Sequence, residues 1–190
     1  HNIVVVNDNP YSLIINRRPQ SILQVDGAKD SCIEFNSMSK SHNMPGWRVG
    51  MLATNEEWVR WILRVKSNID SGTFRPLQLA AAEAYNNSDA WHEENNIANY
   101  ARRRAIAEEI MTALGCTFDS HQVGMFLWGR IPDHYADCEQ LTEHVLHHAR
   151  VFITPGFIFG TNGSRYIRIS LCANDDQMRE ALSRILYHQT

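Results

Sequence analysis

The chain has 190 residues, enough for one ordinary domain or for two small ones. Hydrophobic residues make up 44% of it and charged residues 21%, which predicts a soluble globular protein with a real core. Its 18 basic and 21 acidic residues give a formal net charge of -3, which argues against a general nucleic-acid binder.

The first third of the chain predicts short apolar strands separated by loops, as in an α/β sheet that is covered on both faces. The predicted strands are residues 2–6, 32–35 and 49–53. A capping box at residues 54–57 then opens a predicted helix over residues 55–67, and an alanine-rich helix is predicted over residues 77–85.

The clearest break in composition is the polar run Asn86-Asn87-Ser88-Asp89. It predicts a domain boundary that divides the chain into residues 1–88 and residues 89–190. The second part opens with a long polar helix and continues as a small α+β domain. Its predicted elements are a helix over residues 90–114, strands over 124–129, 151–154 and 166–171, and helices capped by Asp137 and Asn174.

The ends and the sulfur chemistry suggest a cytoplasmic protein. The start at His1 has neither an initiator Met nor the basic region of a signal peptide, so we expect the chain to be part of a longer one. Every apolar run falls far short of the ~20 residues that span a bilayer. Four cysteines without a C-x-x-C pair, and three histidines on one helical face, predict neither a disulfide framework nor a metal site; the histidines are His144, His147 and His148.

The segment SMSKSHNMPGWRVG, between two predicted strands, is the most informative. It holds Ser37, Lys40 and Arg48, whose hydroxyl, amine and guanidinium can together bind a phosphate beside a reactive nitrogen. Lys40 is one of three lysines in a chain that otherwise uses arginine. Asp8 and Tyr11 follow the first predicted strand, and this combination suits pyridoxal phosphate.

Four motifs then carry a family resemblance: D-x-x-Y at Asp8, S-x-S-K ending at Lys40, R-x-G at Arg48, and an arginine in the strand YIRISL. With these motifs in order over nearly its whole length, the chain resembles the C-terminal portion of a class I/II aminotransferase. That family belongs to the fold type I group of pyridoxal-phosphate-dependent transferases. The resemblance implies a truncated fold, with part of the large-domain sheet in residues 1–88 and the connecting helix and small C-terminal domain in residues 89–190.

The resemblance also implies roles for the predicted site residues. Lys40 would carry pyridoxal 5'-phosphate as a Schiff base and would move the proton between the substrate Cα and the cofactor. Asp8 would pair with the pyridine nitrogen and keep it protonated. Tyr11 would donate a hydrogen bond to the phenolic oxygen of the ring.

The phosphate and carboxylate groups have their own implied partners. Ser37 and Arg48 would hold the cofactor phosphate, with Ser39 as a further candidate. Arg168 lies in mid-strand, where a half-buried cation needs an anion, and the resemblance supplies the α-carboxylate of the substrate. Ser71 lies where related enzymes send a loop across a dimer interface. We expect a structural role for the neighbouring Arg165.

The implied function is transfer of an amino group between an amino acid and a 2-oxo acid, in a full-length homodimer. No motif fixes the side chain of the substrate; Arg75 is in the right neighbourhood without a motif to anchor it. Two alternatives stay open: another fold type I enzyme, such as a decarboxylase or carbon-sulfur lyase, and a non-catalytic sensor domain of a transcription regulator. We expect the chain alone to be an incomplete catalyst that exposes apolar surface and self-associates.

Overall fold

The computed structural model describes residues 1–188 and divides the chain into two compact units. Unit 1 is His1–Ile97, and unit 2 runs from Ala98 onward. Each unit combines a small sheet with helices, so the predicted α/β class is confirmed. Within residues 1–188 no helix has both the length and the apolar character needed to cross a membrane.

Unit 1 is built on a three-stranded sheet in the order β1-β2-β3. The strands are β1 (Val5–Asp8), β2 (Cys32–Ser37) and β3 (Gly50–Ala53). β1 and β2 are parallel, whereas β3 is antiparallel to β2. The helices are α1 (Met38–Ser41), α2 (Glu56–Ile69), α3 (Arg75–Asn86) and α4 (Asp89–Trp91), which continues as a π-helical segment, His92–Asn99. Short 3-10 turns occur at Ile22–Gln24, Ala28–Asp30 and Pro45–Trp47.

The sheet of unit 1 corrects two predictions. Its first strand begins three residues later than predicted, because pairing with β2 starts at Val5 opposite Cys32. The strands are also not covered on both faces: Val5 is 43% exposed and Met51 is 49% exposed. The exposed side of helix α2 carries Trp61 and Ile69, so the expected apolar surface is present.

The division between the units falls at residues 97 and 98, later in the chain than the predicted boundary after Ser88. The reason is that the segment after Ser88 is bonded to unit 1. Trp91 and Asn96 both donate hydrogen bonds to the carbonyl of Ser41, at 2.8 and 2.9 Å. The polar run that suggested a boundary is therefore a helix junction inside unit 1.

Unit 2 contains an antiparallel four-stranded sheet in the order β4-β5-β7-β6. The strands are β4 (Thr117–Phe118), β5 (Phe126–Arg130), β6 (Thr154–Pro155) and β7 (Tyr166–Ser170). The helices are α5 (Tyr100–Ala113), α6 (Cys138–Ala149) and α7 (Asp175–Tyr187), with 3-10 turns at Gly156–Phe159 and Thr161–Gly163. Asp137 and Asn174 cap α6 and α7 as predicted, each accepting a hydrogen bond from a backbone N–H in the first turn.

The strand predicted over residues 151–154 is shorter than expected. Arg150 ends α6 in the left-handed region (φ 57°), and the next three residues return the chain to the sheet. Only Thr154 and Pro155 pair with β7. The chain then turns away, because Gly156 packs so closely on Gly163 that a Cβ on Gly156 would lie 2.4 Å from the Gly163 carbonyl oxygen.

Candidate active site

The predicted site residues of unit 1 gather at one edge of its sheet. Parallel strands end at the same edge, so Asp8, the last residue of β1, and Ser37, the last of β2, lie there together. β3 runs in the opposite direction and begins at this edge, with Gly50 paired to Ser37. The structure thus brings the segment containing Lys40 and Arg48 to the end of β1, as the motif order predicts.

Lys40 lies on the short helix α1, which begins directly after β2. Ser37 caps this helix, and its Oγ accepts a hydrogen bond of 3.1 Å from the Ser39 N–H. The Met38 side chain is buried and anchors the helix to the interior of unit 1, whereas Ser39 and Lys40 are partly exposed. Among residues 1–188 the Lys40 amine has no ion-pair partner, so it is available to a ligand.

The far end of α1 is held by two long-range hydrogen bonds. The Ser41 carbonyl accepts from the Trp91 Nε1–H and from the Asn96 amide, which are 50 and 55 residues away in the chain. Asn96 is only 2% exposed, so this contact is shielded from water. These two residues position the Lys40 helix, and no local pattern in the sequence marked them.

His42 supports the same helix from inside unit 1. The Ser41 hydroxyl donates to the Ser37 carbonyl at 3.1 Å, and the Ser41 Oγ lies 2.8 Å from the His42 Nδ1. The ring packs edge-on against Tyr85, with centroids 5.0 Å apart. Burial lowers the pKa of His42, against a smaller opposing effect of the Ala84 backbone, and keeps the ring neutral near pH 7.

The loop that carries Tyr11 is tied to β2 through Asn36. The Asn36 amide donates to the Asn9 carbonyl at 2.9 Å, and its carbonyl oxygen accepts from the Tyr85 hydroxyl at 3.1 Å. The Asn9 N–H in turn donates to the Phe35 carbonyl at 2.9 Å. Asn36 therefore links the loop after β1 to helix α3, a role that sequence reasoning missed.

Arg48 lies just before β3, where the backbone at Gly50 packs closely against the backbone of β2. A Cβ on Gly50 would lie 2.6 Å from the Asn36 carbonyl oxygen, so only glycine fits there without a shift. Arg48 itself adopts the left-handed region (φ 52°), and its guanidinium donates to the Pro45 carbonyl at 3.0 Å. It is exposed and forms no ion pair within residues 1–188, which leaves its charge available to an anion.

Ser71 and Arg75 lie in and after the connection between α2 and α3, and both are exposed. The connection is ordered locally by Asp70, which accepts hydrogen bonds from Lys66 at 2.6 Å and from the Gly72 N–H at 3.0 Å. The Lys66 ammonium, with the Gly72 N–H, lowers the pKa of Asp70. The role of Ser71 at a subunit interface stays a prediction.

Arg168 lies in the middle of β7 in unit 2, paired with Trp128 of β5 and Thr154 of β6. Its neighbours Ile167 and Ile169 are buried on the opposite face, so the predicted alternation is confirmed. Its guanidinium carbon lies 4.1 Å from the ring centre of Phe126 and 4.2 Å from that of Phe159. No local pattern in the sequence indicates that these two rings contact Arg168.

Arg165 has the structural role expected of it. Its guanidinium donates to the backbone carbonyls of Pro132, Tyr135 and Ala136 and to the Asp133 carboxylate. These bonds fix the loop between β5 and α6. The side chain is therefore occupied within unit 2.

The histidine-rich face of α6 borders a cavity of about 220 Å³ in unit 2. The rings of His144 and His148 lie 4.2 Å apart, and His134 and His188 also line the cavity. Burial, with the nearby His148, lowers the pKa of His144. Within residues 1–188 no group of three or more His, Cys, Asp or Glu side chains is arranged to hold a metal ion.

The sequence of this chain is similar to those of known aminotransferases. The family model for class I and II aminotransferases matches residues 1–185. The LL-diaminopimelate aminotransferase of Oleidesulfovibrio alaskensis is 39% identical over 188 residues, which are 97% of this chain and 48% of that protein. The enzyme of the same name from Nitratidesulfovibrio vulgaris is 37% identical with the same coverage. The chain thus spans about half the length of the curated relatives it matches.

Solved structures show the same similarity in three dimensions. The structure of an aminotransferase from Staphylococcus aureus superimposes with a TM-score of 0.82 at 31% sequence identity. The match covers 97% of this chain and 49% of that one. The fold of this chain therefore has a counterpart in a solved aminotransferase structure.

Proposed function

This chain belongs to the class I and II aminotransferase family, and on that premise we propose that the protein transfers an amino group between an amino acid and a 2-oxo acid. The family depends on pyridoxal phosphate and has the fold type I architecture, and the matched region covers nearly the whole chain. The observation that carries the proposal is the position of Lys40, on a capped helix at the sheet edge where Asp8 also ends its strand.

The residues at this edge fit the chemistry of pyridoxal phosphate. An amine, a carboxylate, a phenol and a guanidinium are all present on adjacent segments, in Lys40, Asp8, Tyr11 and Arg48. Lys40 and Arg48 make no ion pair with another residue of the described chain, so both charges can serve a ligand. We assign the phosphate to Arg48 with the hydroxyls of Ser37 and Ser39, and the ring to Asp8 and Tyr11.

When bound, pyridoxal phosphate supplies a ring that accepts the electrons left at the substrate Cα. Lys40 would then be the base that takes the proton from the substrate Cα and passes it to the cofactor. Asp8 would hold a proton on the ring nitrogen through its negative charge, and Tyr11 would donate a hydrogen bond to the ring oxygen. Helix α1 keeps the Lys40 backbone fixed through the bonds to Ser41.

Arg168 is the proposed binding group for the α-carboxylate of the substrate. It is a cation in mid-strand whose side chain has no anionic partner among residues 1–188. A carboxylate would accept two hydrogen bonds from the guanidinium and balance its charge. This role explains why a sheet face otherwise lined by aromatic rings contains an arginine.

The relatives point to a more specific substrate. Two of them, at 39% and 37% identity, are named LL-diaminopimelate aminotransferases, and we take LL-diaminopimelate as the first amino donor to test. We further propose that the full-length protein is a homodimer in the cytoplasm. The four free cysteines, three of them buried, accord with a reducing compartment.

The two alternatives raised by the sequence have less support. The curated relatives reported above are aminotransferases, not decarboxylases or carbon-sulfur lyases. The sensor alternative concerns modules that lack turnover, whereas here the lysine, the aspartate and both arginines of the site are in place. Recovery of the aldehyde form of the cofactor on addition of a 2-oxo acid would separate transfer from lysis in the full-length protein.

The test of the site uses the chain itself, pyridoxal phosphate and borohydride reduction, followed by peptide mass spectrometry. We expect the pyridoxyl group on Lys40, with Lys29 and Lys66 as internal controls for non-specific reaction. The variant Lys40→Arg keeps the charge and should lose the label. Equal labelling of the three lysines would contradict the assignment of Lys40.

A further inference from the structure

The Arg168 guanidinium lies between two aromatic rings. Its central carbon is 4.1 Å from the ring centre of Phe126 and 4.2 Å from that of Phe159. The Arg168 Nε atom is buried and has no hydrogen-bond partner in the described chain. The two terminal nitrogens are not buried and unpaired in the same way, so the terminal end of the guanidinium is the side that a ligand can reach.

This arrangement is unusual for a half-buried arginine, because a charge partly removed from water normally has an anion or several acceptors around it. Aromatic ring faces carry partial negative charge and stabilise a cation without offering a hydrogen-bond acceptor. The rings therefore keep the guanidinium in place while leaving the donors of its terminal nitrogens unused. An arginine whose role was structural would be bonded to carbonyls, as Arg165 is.

The rings are themselves fixed by the fold. Phe126 is the first residue of β5 and pairs with Ser170 of β7. Phe159 packs on Trp128 with centroids 5.6 Å apart, and Trp128 stacks on Tyr166 at the same distance. Two strands and one turn thus carry the two rings that contact Arg168.

We propose that Phe126 and Phe159 are positioning residues, which clamp the Arg168 guanidinium in one plane and direct its terminal nitrogens at the substrate carboxylate. The inference rests on the proposed function, because it takes the carboxylate as the ligand of Arg168. The rings also exclude water from the faces of the cation, so the ion pair with a carboxylate forms in a less polar setting and is stronger. Phe126 and Phe159 would then affect carboxylate affinity without touching the carboxylate.

The experiment follows the arginine Nε–H signals of the isotopically labelled chain by NMR, with Arg168→Lys to identify the Arg168 signal. Two properties are measured: the exchange rate of this Nε–H with water, and its shift during titration with propionate as a carboxylate probe. The variants are Phe126→Leu and Phe159→Leu, which keep apolar volume and remove the ring. Phe159→Tyr restores the ring, and Phe157→Leu is the matched control on the same turn.

We expect slow exchange and saturable propionate binding in the wild-type chain, faster exchange in both leucine variants, and propionate affinity about fivefold weaker in them. Phe159→Tyr and Phe157→Leu should behave as the wild type does. Unchanged exchange and affinity in both leucine variants would overturn the clamp. Slow exchange that the leucine variants abolish, without any propionate binding to the wild-type chain, would uphold the clamp and count against the carboxylate role of Arg168 instead.

Discussion

The two units bury their apolar side chains to very different extents. Of the 25 apolar residues buried in the described chain, nineteen lie in unit 2 and six in unit 1. Unit 1 nevertheless holds Lys40 and the rest of the proposed cofactor site. The difference shows that unit 2 is ordered by core packing, whereas the site in unit 1 depends on hydrogen bonds among a few buried polar groups, chiefly Ser41, His42 and Asn96.

Exposed apolar residues show the same contrast from the outside. In unit 1 they form a stripe along helix α2, with Trp61 60% exposed and Ile69 79% exposed, and they also occur on strand β1. A helix with such a stripe normally buries it against another element. We infer that the exposed apolar surface of unit 1 is available for a contact that this chain does not make by itself. Unit 2, by contrast, buries most of its apolar side chains in its own core.

The largest expected effect is on unit 2. Leu127 on β5 is fully buried, and Leu127→Ala should lower the free energy of unfolding of unit 2 by about 2–5 kcal/mol through lost contacts and a cavity. Hydrogen exchange read by mass spectrometry would show faster exchange in β5 and β7. Leu186→Ala, at a position 48% exposed, is the control and should change little. Equal effects of the two substitutions would remove the contrast between core and surface.

A smaller effect is expected from the hydrogen bonds that hold the Lys40 helix. Asn96→Ala removes one of the two donors to the Ser41 carbonyl, at a cost of about 1 kcal/mol. Because helix α1 then loses an anchor, labelling of Lys40 by pyridoxal phosphate and borohydride should fall while labelling of Lys29 and Lys66 does not. The neighbouring Asn95→Ala is the matched control. Unchanged labelling of Lys40 would show that the helix holds its position without this bond.

Local patterns predicted the features that depend on a few neighbouring residues. The alternation of polar and aliphatic residues around Arg168 correctly predicted that its side chain lies on the sheet face opposite the buried isoleucines, because successive side chains of a strand point to opposite faces. The capping residues Asp137 and Asn174 are equally local. The gathering of Asp8 and Lys40 at one edge followed from motif order, because each motif lies directly after a strand.

Features that depend on distant residues could not be predicted in this way. Trp91 and Asn96 reach Ser41 across 50 and 55 residues of sequence, and no local pattern indicates that the polar run before them lies inside unit 1. The aromatic clamp on Arg168 depends on the register between β5 and β7 and on the turn that carries Phe159. Exposure of the β1 valines was missed because an apolar run predicts burial without saying what covers it.

The stability of unit 1 should depend on pH through the protonation of His42. Burial holds the pKa of His42 below its ordinary value of 6.5, so the unfolded chain takes up this proton first as the pH falls. The free energy of unfolding should therefore decrease as the pH drops below about 6.5 and be insensitive to His42 above it. His42→Phe should flatten this decrease in denaturant titrations, whereas replacement of the exposed His121 with Asn should leave it intact. A wild-type slope retained in His42→Phe would assign the effect to another histidine, with His144 the next to test.

The smallest change in folding free energy is expected from the exposed stripe on helix α2. Replacing Trp61 and Val65, each 60% exposed, with serine should alter stability by no more than about 0.5 kcal/mol, because both side chains stay mostly exposed in the folded chain. The same double variant should reduce self-association in sedimentation velocity, since the stripe is part of the apolar surface that unit 1 exposes. Phe152→Ser, at a position 71% exposed in unit 2, should leave self-association unchanged. A wild-type chain that is monomeric at all concentrations would show that exposed apolar area on unit 1 does not drive association, and the contrast between the units would then concern their cores alone.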